Sequence, residues 1–271
     1  FYKPIEEKQL PLPLSCNIPI AQETNTTAQE ISSAVGRLLV PFENGTGLCT
    51  TTLLNSEKQT EGAPTPYIIS AWHCFGDGVD YAGLTVYWDY RSPNTDNTDV
   101  PSLYDLDWNM GAELLDHSFE LDSALLKLKS QVSVGPYGRA WVGWDSEAPA
   151  QGASVQDIHH PVGADMKTSR GRITSNSTDT CMNMTCSLRY DKQIEVLWSD
   201  GVTEQGSSGS ALLVRSNNYR LAGVLSNGTT HSCTDSSNNF DNFGPFHAFF
   251  PQVGCHLING YECEEPYEPE P

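Results

Sequence analysis

The sequence predicts an all-β protein made of two six-stranded antiparallel barrels with a short C-terminal helix. Three observations carry this reading. Short apolar stretches split by turn residues recur from Ser33 to Phe250. Gly and Pro number 22 and 17 and are spread along the chain, as many turns between short strands require. No segment sustains an apolar period of about 3.6 residues. A length of 271 residues is enough to bury a full core. The reading is one domain over 1–271, with an arm (1–32), a first barrel (33–135), a second barrel (136–254) and a tail (255–271).

The elements follow in order. Residues 1–32 are polar and Pro-rich without a period, and are read as an arm across the surface. Six strands are predicted next, at 33–42, 47–55, 67–74, 84–90, 107–115 and 123–129. In the last of these, Ala124, Leu126 and Leu128 alternate with Leu125, Lys127 and Lys129, the period of two of a half-buried strand. The stretch 139–145 reads as the crossover. Six further strands are predicted at 153–161, 167–175, 194–198, 210–214, 221–225 and 246–250, and then a short helix at 251–257. The tail from Glu264 is acidic and Pro-rich, a composition that cannot bury enough apolar surface to order itself.

Composition excludes several classes of function. Lys and Arg total 15 against 34 Asp and Glu, a formal net charge of −19. Such a surface repels phosphate, so neither nucleic acid nor an anionic membrane is an expected partner, and cationic substrates are favoured. No apolar run approaches the roughly 18 residues of a membrane span. The first residues lack the apolar stretch and cleavage site of a signal peptide, so the numbering is expected to begin at a mature or trimmed end. The 8 cysteines form no zinc-type CxxC pattern and are read as disulfides. With N-x-S/T sequons at Asn25, Asn44, Asn176, Asn183 and Asn227, they point to a secreted or extracytoplasmic protein.

Three segments carry chemistry: YIISAWHC at 67–74, ELDSALLKL at 120–128 and TEQGSSGSALLV at 203–214. A serine hydroxyl is a weak nucleophile that needs a base, and the base needs an acceptor to fix its tautomer. His73, Asp122 and Ser208 supply those roles in that chain order. The glycines around Ser208 permit a tight turn that aims the backbone N–H groups of Gly206 and Ser208 at one point, a candidate oxyanion hole. Losing one such donor costs about 2.7–4 kcal/mol in other enzymes. His159 and His160 are adjacent on a predicted strand and face opposite ways, so one metal cannot easily use both. No metal and no cofactor are expected.

Further matching runs are SCNI at 15–18, GTGLCTTTLLN at 45–55, VYWDY at 86–90, GWD at 143–145, HHPVG at 159–163 and GVTEQGSSGSALL at 201–213. With AWHC at 71–74 and DSALLKL at 122–128, they make the chain resemble the trypsin-like serine endopeptidases over about 15–250. Within these it is most similar to the secreted lysyl endopeptidase group. The resemblance implies a chymotrypsin-like double barrel, a monomer, and an active site between the barrels with His73, Asp122 and Ser208 as base, orienter and nucleophile. It implies the pairs Cys16–Cys233 and Cys49–Cys74, leaving Cys181–Cys186 and Cys255–Cys263 to pair locally.

The resemblance also places a specificity carboxylate after the last barrel cysteine in a D-x-aromatic-G context. Asp241 fits that context and Asp235 is the rival. A buried carboxylate there would select polypeptide substrates with Lys or Arg before the scissile bond. Ser226 stands where the lysyl-specific enzyme has a His, and no Trp follows Ile173 to pack on it, so a preference spanning Lys and Arg is implied. Asn227 is placed at the pocket rim. Ser207 replaces the Asp that trypsin uses to hold its new N-terminus, so activation by terminal insertion is not expected. Two other readings compete: a non-catalytic binding module on the same fold, and a glutamyl rather than basic specificity.

Overall fold

The computed structural model describes residues 11–60, 62–76, 78–181 and 189–264. The chain opens with β1 (Ile18–Pro19) and a helix, α1 (Thr26–Ser32). Asn25 caps α1 by accepting the N–H of Ala28 at 3.0 Å. Part of the expected arm is therefore built structure, and β1 pairs with residues 167–168 of the second sheet.

The first sheet contains β2 (Val35–Phe42), β3 (Gly45–Leu54), β6 (Tyr67–Ser70), β7 (Thr85–Trp88), β8 (Trp108–Met110), β9 (Ala112–Ser118) and β10 (Ser123–Leu128). A small hairpin, β4 (Gln59–Thr60) and β5 (Ala63–Pro64), stands apart from it. The strand order is β8-β7-β2-β3-β6-β10-β9, so the two edges are consecutive in the chain. They meet at Gly111, where φ is +83°. The predicted strand 107–115 is thus two strands, because the left-handed turn at Gly111 ends one and starts the other. This sheet forms a half-barrel of seven strands, not a closed barrel of six. Val35, Leu38, Val40, Leu53, Ile68, Val86, Leu125 and Leu126 fill its core.

The second sheet contains β11 (Ser154–His159), β12 (Lys167–Cys181), β13 (Arg189–Asp200), β14 (Ala211–Val214), β15 (Arg220–Gly228) and β16 (Phe240–Pro245). Their order is β12-β11-β14-β15-β16-β13, and β12 pairs with β13 to close a six-stranded barrel. Val155, Ile173, Ile194, Val196, Trp198, Leu212, Leu225 and Phe243 fill it.

The predicted strand 246–250 is instead the start of α2 (Phe246–Leu257), and the sixth barrel strand is β16, just before it. Phe246, Phe249, Phe250, Val253 and Leu257 are all buried, at the i, i+3, i+4, i+7 spacing of one helix face. That face joins the core of the first sheet, with Trp144 of the crossover against Phe246 and Phe250. Three disulfides are present among the described residues: Cys16–Cys233, Cys49–Cys74 and Cys255–Cys263. The expected Cys181–Cys186 pair lies outside the described residues.

One polar cluster ties these parts together. Asp89, just past β7, is buried and pairs with Arg91 at 3.2 Å and with Arg139 of the crossover at 2.8 Å. Arg91 reaches Ser32 Oγ in α1 at 2.5 Å, and Arg139 donates to the carbonyl of Ser33. Removing the shared carboxylate would leave two buried guanidinium groups facing each other. Asp89→Ala is therefore expected to lower the unfolding free energy by about 3–5 kcal/mol in urea denaturation, far more than a surface change.

Candidate active site

His73 and Asp122 come from neighbouring ends of the first sheet. β6 stops at Ser70, and Trp72–Cys74 form one tight 3-10 turn that carries His73. Asp122 precedes β10 with φ +48°, a left-handed conformation that Asp adopts more readily than most residues. Its carboxylate grips His73 twice. Oδ1 accepts the backbone N–H at 2.8 Å, and Oδ2 lies 2.7 Å from ring Nδ1. A third donor arrives from the other barrel, as Ser226 Oγ donates to Oδ2 at 2.6 Å. Asp122 is fully buried. A carboxylate only accepts, so Nδ1 carries the hydrogen and the Nε2 lone pair points away from Asp122. Trp72 stacks on His117 at 3.7 Å, and Cys49–Cys74 clamps the turn to β3.

Ser208 lies in the loop between β13 and β14. Its carbonyl accepts the N–H of Thr50 in β3 at 2.8 Å and touches Cys74 Sγ at 3.9 Å, which sets the loop beside the His73 turn. Thr50 Oγ1 donates to the carbonyl of Gly206 at 2.9 Å. Gly206 has φ +91°, and a Cβ there would press on the backbone of 160–163 at about 3 Å, so the turn requires glycine. With these carbonyls taken up, the N–H groups of Gly206 and Ser208 donate to no acceptor among the described residues. Ser208 Oγ and His73 are not hydrogen-bonded among the described residues. Such bonds are often long before substrate arrives.

Behind Ser208 the loop rests on buried polar groups. Ser207 Oγ accepts the N–H of Glu204 and lies 2.7 Å from His159 Nδ1, whose Nε2 lies 3.3 Å from Ser169 Oγ. Burial first, then the charges of His160, Lys167 and His231, hold His159 down at about pKa 3, so it is neutral. Ser169 Oγ gives its hydrogen to the Val202 carbonyl at 2.8 Å, so it accepts from Nε2–H, and the Ser207 hydroxyl donates to Nδ1. His160 is likewise neutral, held at about 3 by burial, and its Nδ1 donates to the carbonyl of Ala164 at 2.9 Å. Ser210 Oγ donates to the buried Asp157 at 2.9 Å.

Asp241 sits on β16 inside the closed barrel and is 1% exposed. Its Oδ2 accepts from the Trp198 indole N–H and from Thr203 Oγ1, the latter at 2.6 Å. Oδ1 lies 3.1 Å from His231 Nε2. Asp241, Ser208, Ser226 and Asn227 line one cavity of about 590 Å³, with Thr203, Gly228 and His231. The rival, Asp235, is exposed and caps a short turn by accepting the N–H of Ser237. A larger hollow of about 760 Å³, beside β9 and β10, has neither His nor Asp in its walls. Sequence reasoning missed Trp198, Thr203, His159 and His231. Thr203 and His159 lie inside matching runs but at positions that carry no chemistry by themselves, Trp198 and His231 lie outside them, and each matters only through the carboxylate or hydroxyl that folding brings to it.

A closed antiparallel barrel facing a half-barrel, with the His–Asp pair on one side of the seam and a Gly-turned Ser on the other, defines the chymotrypsin-like double-barrel class. The Rv3671c protease from M. tuberculosis in its active form has a TM-score of 0.58, over 99% of this chain and 97% of that one, at 13% identity. Its inactive form has a TM-score of 0.55, over 90% and 98%, at 14% identity. The likeness is one of fold. The lysyl endopeptidase of Pseudomonas aeruginosa is 29% identical over 252 residues, which is 88% of this chain and 51% of that protein. The chain thus spans about half the length of that curated relative. The family described as "Lysyl endopeptidase, C-terminal domain" matches residues 14–244, and the chain belongs to it.

Ser207→Ala would remove the partner of a fully buried ring nitrogen. It is expected to cost about 1–3 kcal/mol of stability, read as a lower urea midpoint. A loss below about 0.5 kcal/mol would show that the His159 contact does not hold the loop.

Proposed function

We propose that this chain is a secreted serine endopeptidase that cleaves after Lys or Arg. The observation that carries the reading is the placement of Ser208 and the buried Asp241 on one cavity, beside the His73–Asp122 pair. Ser208 Oγ attacks the scissile carbonyl while His73 Nε2 takes its proton. Asp122 keeps the imidazole in the required tautomer and balances the imidazolium that forms. The oxyanion of the tetrahedral intermediate accepts from the N–H groups of Gly206 and Ser208. His73 returns the proton to the leaving amine, and water then hydrolyses the acyl-enzyme by the same steps in reverse order.

The cationic side chain enters the cavity toward Asp241. A glutamyl side chain would set one carboxylate against another there, which opposes the acidic specificity. Ser226 and Asn227 line the same cavity, and both are uncharged, so neither repels a basic side chain by charge. Three disulfides among the described residues support an oxidising, extracytoplasmic location.

Ser208→Ala is expected to lower kcat on a Lys ester by roughly a millionfold and to abolish labelling by a fluorophosphonate. Labelling that persists in this variant would overturn the assignment, and absence of labelling in the parent would favour a binding module. Asp241→Ser should keep fluorophosphonate labelling but lose about a hundredfold or more in the preference for basic over neutral side chains, read from a peptide library.

A further inference from the structure

His231 lies in the loop between β15 and β16, and nothing in the triad uses it. Its ring is 5% exposed, against 2% for the Asp241 side chain. Nδ1 is 2.6 Å from the carbonyl oxygen of Thr203. A carbonyl only accepts, so Nδ1 carries a hydrogen. Nε2 is 3.1 Å from Asp241 Oδ1, which as a carboxylate oxygen also only accepts. A neutral imidazole has one N–H, and this ring faces two acceptors. The arrangement is that of an imidazolium paired with a buried carboxylate.

The other carboxylate oxygen is already filled by Trp198 and Thr203. Oδ1 is the oxygen turned toward Gly228 on the cavity wall, so close that a Cβ there would overlap it. A substrate cation and a charged His231 would therefore meet at the same oxygen, and the repulsion between two cations held side by side there makes them compete. Resting on the reading of Asp241 as the base of the substrate pocket, we propose that His231 is a specificity-determining residue. Protonated, it occupies Asp241 as an internal cation. A Lys or Arg side chain binds by taking its place on Oδ1, with one proton released from His231 to solvent.

The surroundings favour the charged ring. Burial pulls its pKa down. The nearness and negative charge of Asp241, with the carbonyls of Thr203 and Phe240, outweigh that and raise it above the ordinary histidine value. The other ionisable groups nearby are Glu204, Asp157 and His159. Glu204 lines the cavity, but its Oε2 accepts from Leu14 N–H and the Asn17 amide. Burial pushes the carboxyl of Asp157, on β11, strongly toward its neutral form. His159, also on β11, is neutral. Asp241 is thus the anion that sets the state of His231. A raised pKa means that the internal pair is intact at acid pH and is lost as pH rises through the folded value. Basic side chains should then be discriminated against at low pH and accepted at high pH.

Two measurements test this. The first is the ratio of kcat/KM for two amide substrates that differ only in Lys or norleucine before the scissile bond, in which pH effects common to both substrates cancel. From about pH 5.5 to about pH 8.5 the ratio is expected to rise about tenfold or more in the parent, and to stay flat in His231→Gln at a higher acid-side value. A flat ratio in the parent, or the same rise in the variant, overturns the proposal. The second is calorimetry of benzamidinium binding to the parent protein near neutral pH, in buffers of different ionisation enthalpy. Release of up to about one proton per ligand is expected. Absence of binding, or binding without proton release, overturns the proposal. Proton release without hydrolysis of either substrate would instead fail the endopeptidase reading alone.

Discussion

Asp122 places a fully buried negative charge at the seam of the two barrels, and its surroundings are arranged to satisfy it. An unpaired carboxylate there would cost several kcal/mol. Three donors meet the need: the backbone and ring of His73 from the first sheet, and the hydroxyl of Ser226 from the second barrel. The charge thus fixes where β6 ends, how the Trp72–Cys74 turn is oriented and how β15 approaches. The left-handed backbone at Asp122, the Cys49–Cys74 bridge and the Trp72–His117 stack all support that one geometry.

A second buried carboxylate governs the other half of the site. Asp241 is held by Trp198, Thr203 and His231, from β13, the loop that carries Ser208 and the loop before β16. The two acids differ in their imidazole partner. The His73 ring is a third exposed, whereas His231 is enclosed between the Thr203 carbonyl and Asp241. A third imidazole, His159, is kept neutral by burial among hydroxyls and supports the loop that carries Ser208. One residue type thus takes three roles, set by what each ring nitrogen faces.

Much of this was legible in the sequence. The buried strands β2, β3 and β10 show in their apolar runs, although β10 is buried on both faces and not half-buried as the alternation at 123–129 implies, and the motifs with His73, Asp122 and Ser208 lie on turns that approach one another at the barrel seam. The misreadings have local causes. FHAFF has the aromatic richness of a strand, and Pro251 reads as the first residue of a helix, so the helical spacing of Phe246, Phe249, Val253 and Leu257 across it is hidden. FDNFGP was missed as a strand because Asp241 and Asn242 are polar, yet Asp241 points into a barrel and is paired there. The N-cap at Asn25 was readable, but its helix is only seven residues long. His231 could not be read at all, since its role depends on a loop closing over a residue ten positions away.

The central proposal is that the Asp122-anchored geometry activates Ser208 opposite the N–H groups of Gly206 and Ser208, which have no acceptor among the described residues. A crystal structure of the fluorophosphonate-treated protein tests it most directly. The expected result is phosphorus bonded to Ser208 Oγ, with the phosphonyl oxygen within about 3 Å of the N–H groups of Gly206 and Ser208 and His73 still bonded to Asp122. An adduct on any other residue, or a phosphonyl oxygen turned away from both N–H groups, would contradict it.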